Sequence, residues 1–192
     1  MGAVTLALAV QCLVVYQLLL FVFTRLNPLR FLKRFSPVMM FAFTTATSNA
    51  TIPLSIDTLD KKIGVSKKIS SFTIPLGATI NMDGTSIMQG VAVIFIAQVY
   101  GMELTPAQLL TVIATAMIAS IGTAGIPSVG LIMLAMVLTS VGLPTEGIAL
   151  IMGIDRILDM LRTAVNITGD AVCTTIVSSQ NKELDRSIFN RD

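Results

Sequence analysis

The lysines and arginines of this chain sit where they restrict how it can thread a membrane. Eleven of the thirteen fall in three clusters, Arg25 to Arg34, Lys61 to Lys68 and Lys182 to Arg191, and none occurs between Lys68 and Arg156. The other two are Arg156 and Arg162. Of the 192 residues 54% are apolar and 12% charged, and the mean hydropathy is +0.82. That composition belongs to an all-α integral membrane protein. Basic loops remain on the cytoplasmic side, so all three clusters and the C-terminus are expected in the cytoplasm.

The opening MGAVTLALAVQCLVVYQLLLFVF lacks a basic leader, and its apolar run of about twenty residues is bilayer length. It reads as a transmembrane helix over residues 4–24 rather than a signal peptide. Ser36 to Ile56 begins and ends beside basic clusters. Roughly twenty residues rising about 1.5 Å each cannot cross a bilayer twice, so the segment is expected to be a re-entrant hairpin entering from the cytoplasm. Thr44, Thr45, Thr47, Ser48, Asn49 and Thr51 crowd its tip, and Pro53 follows. Polar backbone at membrane depth survives only under protein or water, so these groups either meet a ligand or bond back to their own helices.

Ile69 to Tyr100 then crosses outward through Asn81-Met82-Asp83-Gly84-Thr85. Asn and Asp compete with helical backbone and Gly relaxes it, which predicts an unwound turn. Half-helix ends and free carbonyls suit a dehydrated cation, and Asp83 adds a hard carboxylate oxygen. Residues 106–141 repeat the hairpin from the outer side, with two apolar arms flanking Gly122-Thr-Ala-Gly-Ile-Pro-Ser-Val-Gly130. Its glycines admit close backbone approach and Pro127 stops a helix. A glycine packing seam is the plainer alternative.

Gly153 to Asp170 carries the charge. From Asp155 the steps to Asp159, Arg162, Asn166 and Asp170 are 4, 3, 4 and 4, which puts three carboxylates, a guanidinium and an amide on one helical stripe. Ionisable groups at membrane depth are costly and mark solute or ion pathways, although a stripe that only joins helices has the same spacing. Two oppositely oriented re-entrant helical hairpins, a broken helix and a charged helix are the parts from which an inverted repeat builds a midplane site. Substrate and ion stay open at this point. The absence of histidine excludes His-based catalysis and His ligation within these residues. Cys12 and Cys173 lie in apolar or membrane-end context and are expected to be free thiols.

Three stretches, NMDGT (81–85), SIGTAGIPSVG (120–130) and GIDRILDMLRTAVNITGD (153–170), resemble the glutamate transporters, or dicarboxylate/amino acid:cation symporters. The looser TTATSNATIP (44–53) departs from the family's serine run at Asn49. The resemblance implies a glutamate-transporter-like transport core that co-transports sodium, uses no organic cofactor and does no covalent chemistry. It implies that Asp159 holds a substrate ammonium and Arg162 a side-chain carboxylate. Thr163 and Asn166 would bond the remaining substrate groups, Ser48 and Ile126 would offer main-chain donors from the two tips, and Thr85 and Gly130 would border the pocket. One sodium would lie among Gly77, Asn81, Asn166 and Asp170. A second would take carbonyls of Thr79, Ser120, Ile121 and Thr123, and a third would involve Asn81 and Asp83 with ligands from an earlier helix.

Arg156 answers to the arginine that family members carry either in this helix or at the first tip, where this chain has Ala46. Its expected partner is Asp159 or a neighbouring carboxylate such as Asp155. Gln89 stands where animal glutamate carriers have a glutamate linked to proton movement, which favours sodium coupling without that step. The resemblance covers only the family's C-terminal half: residues 1–35 answer to part of a membrane helix and a cytoplasmic linker, and residues 36–192 to the transport core. The expected activity is sodium-coupled symport of aspartate or glutamate. A carrier of C4-dicarboxylates or cystine, or a fragment that needs its missing half to transport, are the alternatives. Expected partners are a lipid bilayer and two further copies in a trimer built by the missing scaffold, with no nucleic acid. A bacterial inner membrane is the expected location.

Overall fold

The computed structural model describes residues 1–121 and 128–191. Among them the chain is helical apart from turns and an isolated bridge between Val65 and Leu184. Helix α1 (Gly2–Thr24) is apolar and long enough to cross a bilayer. Its inward stripe runs Val4, Leu8, Cys12, Tyr16 and Leu20, each four residues on, while Leu13, Leu18, Phe21 and Phe23 remain exposed. A π-helical turn at Gln11–Val15 interrupts it. Arg25 then takes a left-handed conformation (φ 60°) and ends it.

Helix α2 (Pro28–Thr45) begins inside the stretch that the sequence suggested was linker. The cause is local: the Asn27 side chain accepts from the amides of Leu29 and Arg30, and Pro28 fits the first helical position. Ala46 (φ 51°) ends α2, Thr47 is extended, and α3 (Ser48–Thr58) starts at once, prolonged by a π-helical turn to Ile63. α2 and α3 pack on each other with only these two residues between them.

Helix α4 (Lys67–Ile80) and helix α5 (Asp83–Val99) form the second long apolar passage, Lys67–Val99. The break expected over 81–85 is narrower: Asn81 and Met82 are non-helical, while Asp83 already belongs to the first turn of α5. Helix α6 (Pro106–Ser120) opens with a capping box between Thr105 and Gln108. It packs on α7 (Val129–Ser140), and the Gln108 amide donates to the Val141 carbonyl at 3.3 Å. Of the tip expected at 122–130, residues 122–127 lie outside the described residues, and with them Thr123 and Ile126. A short 3-10 turn (Thr145–Ile148) leads into α8 (Ala149–Gln180), and α9 (Arg186–Asn190) closes the chain.

The long α8 is the axis, packing against α1, α2, α3, α4, α5 and α7. Enclosure by so many neighbours explains why a helix with Asp155, Asp159, Arg162, Asn166 and Asp170 leaves each of them buried. At one end, Arg34 of α2 donates to the carbonyls of Lys62, Ile188 and Arg191, and Arg186 donates to the Thr24 carbonyl at 2.7 Å. These bonds bring the ends of α1, α2, α3 and the final helix together. Cys12 is buried, Cys173 is exposed, and both are free.

Candidate functional site

At the centre of α8, Arg162 is 1% exposed. Its Nη2 donates to Asp159 Oδ1 at 2.8 Å and to Asp155 Oδ1 at 3.3 Å. Three helical steps separate it from Asp159 and seven from Asp155, so one face of α8 supplies the whole cluster. Nε and Nη1 of the same guanidinium are buried and lack a hydrogen-bond partner among the described residues. Unpartnered buried donors on a planar cation are costly, and they remain available to an incoming acceptor.

Neighbouring elements close around that fork. The second oxygen of Asp159, Oδ2, accepts from the Ser128 amide at 2.9 Å, at the start of α7. Gly130, one helical position into α7, faces Arg162 so closely that a Cβ there would collide with the guanidinium. Gln89 of α5 is buried and donates to the Gly130 carbonyl at 3.4 Å, and its own Oε1 has no partner among the described residues. Thr85 and Ser48 are also buried. Thr163 turns its hydroxyl back to the Asp159 carbonyl at 2.9 Å. Arg156 does not make the expected pair: it is exposed, and Arg162 takes Asp159 instead. One residue advances a helix by about 100°, enough to turn Arg156 off the packed stripe that starts at Asp155.

One turn further along α8 the site changes character. Asn166 Oδ1 accepts from the Gly84 amide at 2.7 Å, and its Nδ2 lies 3.3 Å from the Met82 sulfur. Asn81 Nδ2 donates to Asp170 Oδ1 at 2.8 Å and approaches the Asn166 carbonyl at 3.5 Å. The Asn81 amide in turn takes the Gly77 carbonyl at 2.8 Å. A Cβ on Gly77 would come within 2.5 Å of Asp170 Oδ1. Gly77, Asn81, Asn166 and Asp170 therefore converge, and a cavity of about 210 Å³ lined by Gly77, Asn81 and Asp170 opens beside them. Carbonyl and carboxylate oxygens of this kind suit a hard cation.

Asp83 has partners that sequence reading missed. Tyr16 Oη donates to its Oδ2 at 2.9 Å and Gln11 Nε2 at 3.0 Å, from 67 and 72 residues away. The available signal was polarity, since Gln11, Tyr16 and Gln17 punctuate an otherwise apolar helix. Ser86 was also missed: its hydroxyl donates to Ser120 Oγ at 2.9 Å and ties α5 to α6. Thr79 and Ile121, expected with Ser120 at one ion, are both exposed, and the Thr79 hydroxyl bonds back to the Leu76 carbonyl at 2.9 Å. The remaining member of that set, Thr123, lies outside the described residues.

Comparison with known proteins bears on this arrangement. A family model described as the sodium:dicarboxylate symporter family matches residues 1–180. An excitatory amino acid transporter of Caenorhabditis elegans is 43% identical over 175 residues, which are 91% of this chain and 35% of that protein. Excitatory amino acid transporter 3 of Mus musculus is 43% identical over 183 residues, 95% of this chain and 35% of the relative. Excitatory amino acid transporter 1 of Homo sapiens is 43% identical over 189 residues, 98% and 34% respectively. The chain thus spans about a third of the length of these relatives.

Proposed function

Since the chain belongs to the sodium:dicarboxylate symporter family, we propose that it forms the transport core of a sodium-coupled carrier for an acidic amino acid, aspartate or glutamate. The observation that carries this reading is Arg162, buried, neutralised on one side by Asp159 and Asp155 and, among the described residues, unpartnered at Nε and Nη1. A substrate carboxylate entering beside Gly130 would take up the Nη1 donors, on the guanidinium edge that Gly130 faces. Asp159, relieved of part of its pairing, would accept the substrate ammonium. A carboxylate placed for an ammonium favours an amino acid over a simple dicarboxylate, which would meet repulsion there. Thr163 and Asn166 supply further polar contacts, with Ser48, Thr85 and Ile126 at the margins. Arg156, outside the pairing, would contribute only a field.

Sodium enters this reading as co-transported cargo. The convergence of Gly77, Asn81, Asn166 and Asp170 supports a cation position, and Asp83 with Asn81 a second. The set of Thr79, Ser120, Ile121 and Thr123 is the least supported, because Thr79 is exposed. Two helix pairs, α2 with α3 and α6 with α7, would enter the bilayer from opposite sides as re-entrant hairpins, the second gating the substrate from outside. The chain's span of about a third of its relatives favours one refinement: transport requires the rest of such a protein, including any trimerising scaffold. The relatives named above are animal proteins, so they lend no weight to a bacterial inner membrane.

The test is sodium-dependent uptake of labelled aspartate into proteoliposomes. This chain is reconstituted alone and together with the remaining region of a relative, each with and without Arg162→Ala. Uptake that requires sodium and disappears in the variant supports the proposal. Arginine-independent uptake, or uptake of a neutral amino acid in preference to aspartate, overturns it.

A further inference from the structure

Asp83 is held by α1 through an irregularity in that helix. Gln11 and Tyr16 lie five residues apart, a spacing that sets two side chains about 140° apart around an ordinary α-helix and aims them at different neighbours. Here the π-helical turn Gln11–Val15 intervenes, and the Tyr16 amide takes the Gln11 carbonyl five residues back. Five residues then bring the chain round to nearly the same face. Both side chains donate to Asp83 Oδ2, Tyr16 Oη at 2.9 Å and Gln11 Nε2 at 3.0 Å. A regular helix would lose one of the two. Single π-turns inside α-helices are rare and occur frequently at functional sites.

The turn is braced on both sides. Gln17 Nε2 donates to the Cys12 carbonyl inside it at 2.9 Å, and Cys12, Tyr16 and Gln17 are all buried. Across from it, Tyr16 lies against α8 at Gly169, where a Cβ would come within 2.5 Å of Tyr16 Oη and 2.7 Å of Asn81 Nδ2. Glycine thus lets α1, the break between α4 and α5, and α8 meet at one place. Asn81 is the residue whose Nδ2 donates to Asp170 Oδ1. Tyr16 therefore bonds Asp83 directly and lies beside the amide that holds Asp170. Its two-donor grip on Asp83 falls on Oδ2, so it fixes the carboxylate while neither donor engages Oδ1. Hydrogen-bond partners behind a ligating carboxylate orient it and tune the affinity for the ion. A ligand already ordered also spares the ion the cost of ordering it.

We propose that Tyr16 and Gln11 are positioning residues for a cation at Asp83, brought onto one face by the π-helical turn of α1. The inference rests on the reading of Asp83 as a cation position. It adds that α1, through two side chains that do not themselves hold the ion, sets how tightly that position binds.

The purified chain in detergent is unfolded thermally across a sodium series, with choline holding the ionic strength constant. An ion that binds the folded state raises the midpoint as its concentration rises. In the parent the midpoint should climb with sodium. In Tyr16→Phe and in Gln11→Leu the climb should move to about tenfold higher sodium, and in Asp83→Asn further still. Leu20→Val, one helical turn beyond Tyr16 and also buried, is the control for a merely structural loss: its midpoint should fall at every sodium concentration while the climb stays where it is in the parent. Gln11→Leu, which keeps the tyrosine, carries the test if Tyr16→Phe does not fold. A parent without a sodium response, or an Asp83→Asn variant with the parent's response, removes the cation from Asp83 and overturns the underlying reading together with the inference. A shift in Asp83→Asn, with Tyr16→Phe and Gln11→Leu behaving as Leu20→Val does, overturns the positioning role alone.

Discussion

Arg162 and Asp159 stand three residues apart on α8 and are joined at 2.8 Å, yet the same guanidinium keeps two buried nitrogens unpartnered among the described residues. A purely structural ion pair at this depth would be expected to use its remaining donors, because leaving them unmade costs about 1–3 kcal/mol each. On the proposed reading these donors are reserved for a substrate. It also separates two consequences of changing Arg162, one for folding and one for ligand.

Arg162→Lys keeps a positive charge beside Asp155 and Asp159 but loses the planar fork. Aspartate uptake should fall by at least about tenfold, the equivalent of one charge-assisted hydrogen bond, while the thermal unfolding midpoint stays near that of the parent. Arg162→Ala should lose both, because removing one partner of a buried pair costs about 3–5 kcal/mol. If Arg162→Lys transported as well as the parent, the carboxylate-fork reading would be wrong.

Gly130 supplies a second handle on the same contact. Its missing Cβ leaves room for the guanidinium, so Gly130→Ala forces Arg162 to move at a cost of about 1–3 kcal/mol. Aspartate affinity should weaken roughly five- to a hundredfold. Gly153→Ala is the control: nothing lies within 4 Å of a Cβ there, and a helical alanine stabilises by about 0.5–1 kcal/mol. Binding titrations on the two variants that gave equal affinities would remove Gly130 from the site.

The stripe on α8 was legible because helical spacing alone decides which residues share a face, and Asp155, Asp159, Arg162, Asn166 and Asp170 do share one. The break at Asn81 was legible because Asn, Asp and Gly carry their own local preferences. What the sequence could not show was pairing across the fold. Whether Arg156 or Arg162 meets Asp159 depends on which side of α8 the other helices cover, and they cover that of Arg162. Tyr16 and Gln11 reach Asp83 only because α1 packs against α5 and α8. The start of α2 was missed for another reason: a strong local cap, Asn27 before Pro28, outweighed a basic composition that resembles a loop.

Asp170 permits a test of the cation reading that spares the fold. In Asp170→Asn the amide oxygen can still accept from Asn81, so the 2.8 Å contact survives while the charge is lost. The sodium concentration for half-maximal uptake should rise by about tenfold or more, in keeping with the loss of one charged ligand. Aspartate affinity at saturating sodium should remain unchanged. An unaltered sodium dependence would place the ion elsewhere.

Tyr16 and Gln11 donate to the same carboxylate oxygen of Asp83, and the two should be coupled. Tyr16→Phe removes one neutral-to-charged bond and should cost about 1.5–3 kcal/mol, a fall of several degrees in the unfolding midpoint for a chain of this size. Gln11→Leu alone should cost a similar or smaller amount, because the tyrosine still serves Asp83. With both gone, that oxygen loses both of its donors from α1, so the double variant should lose more than the sum of the singles, as contacting residues in one network do. Thermal unfolding of the four proteins measures this directly. Strict additivity would mean that the two donors act independently, and that α1 is not held to the broken helix through Asp83.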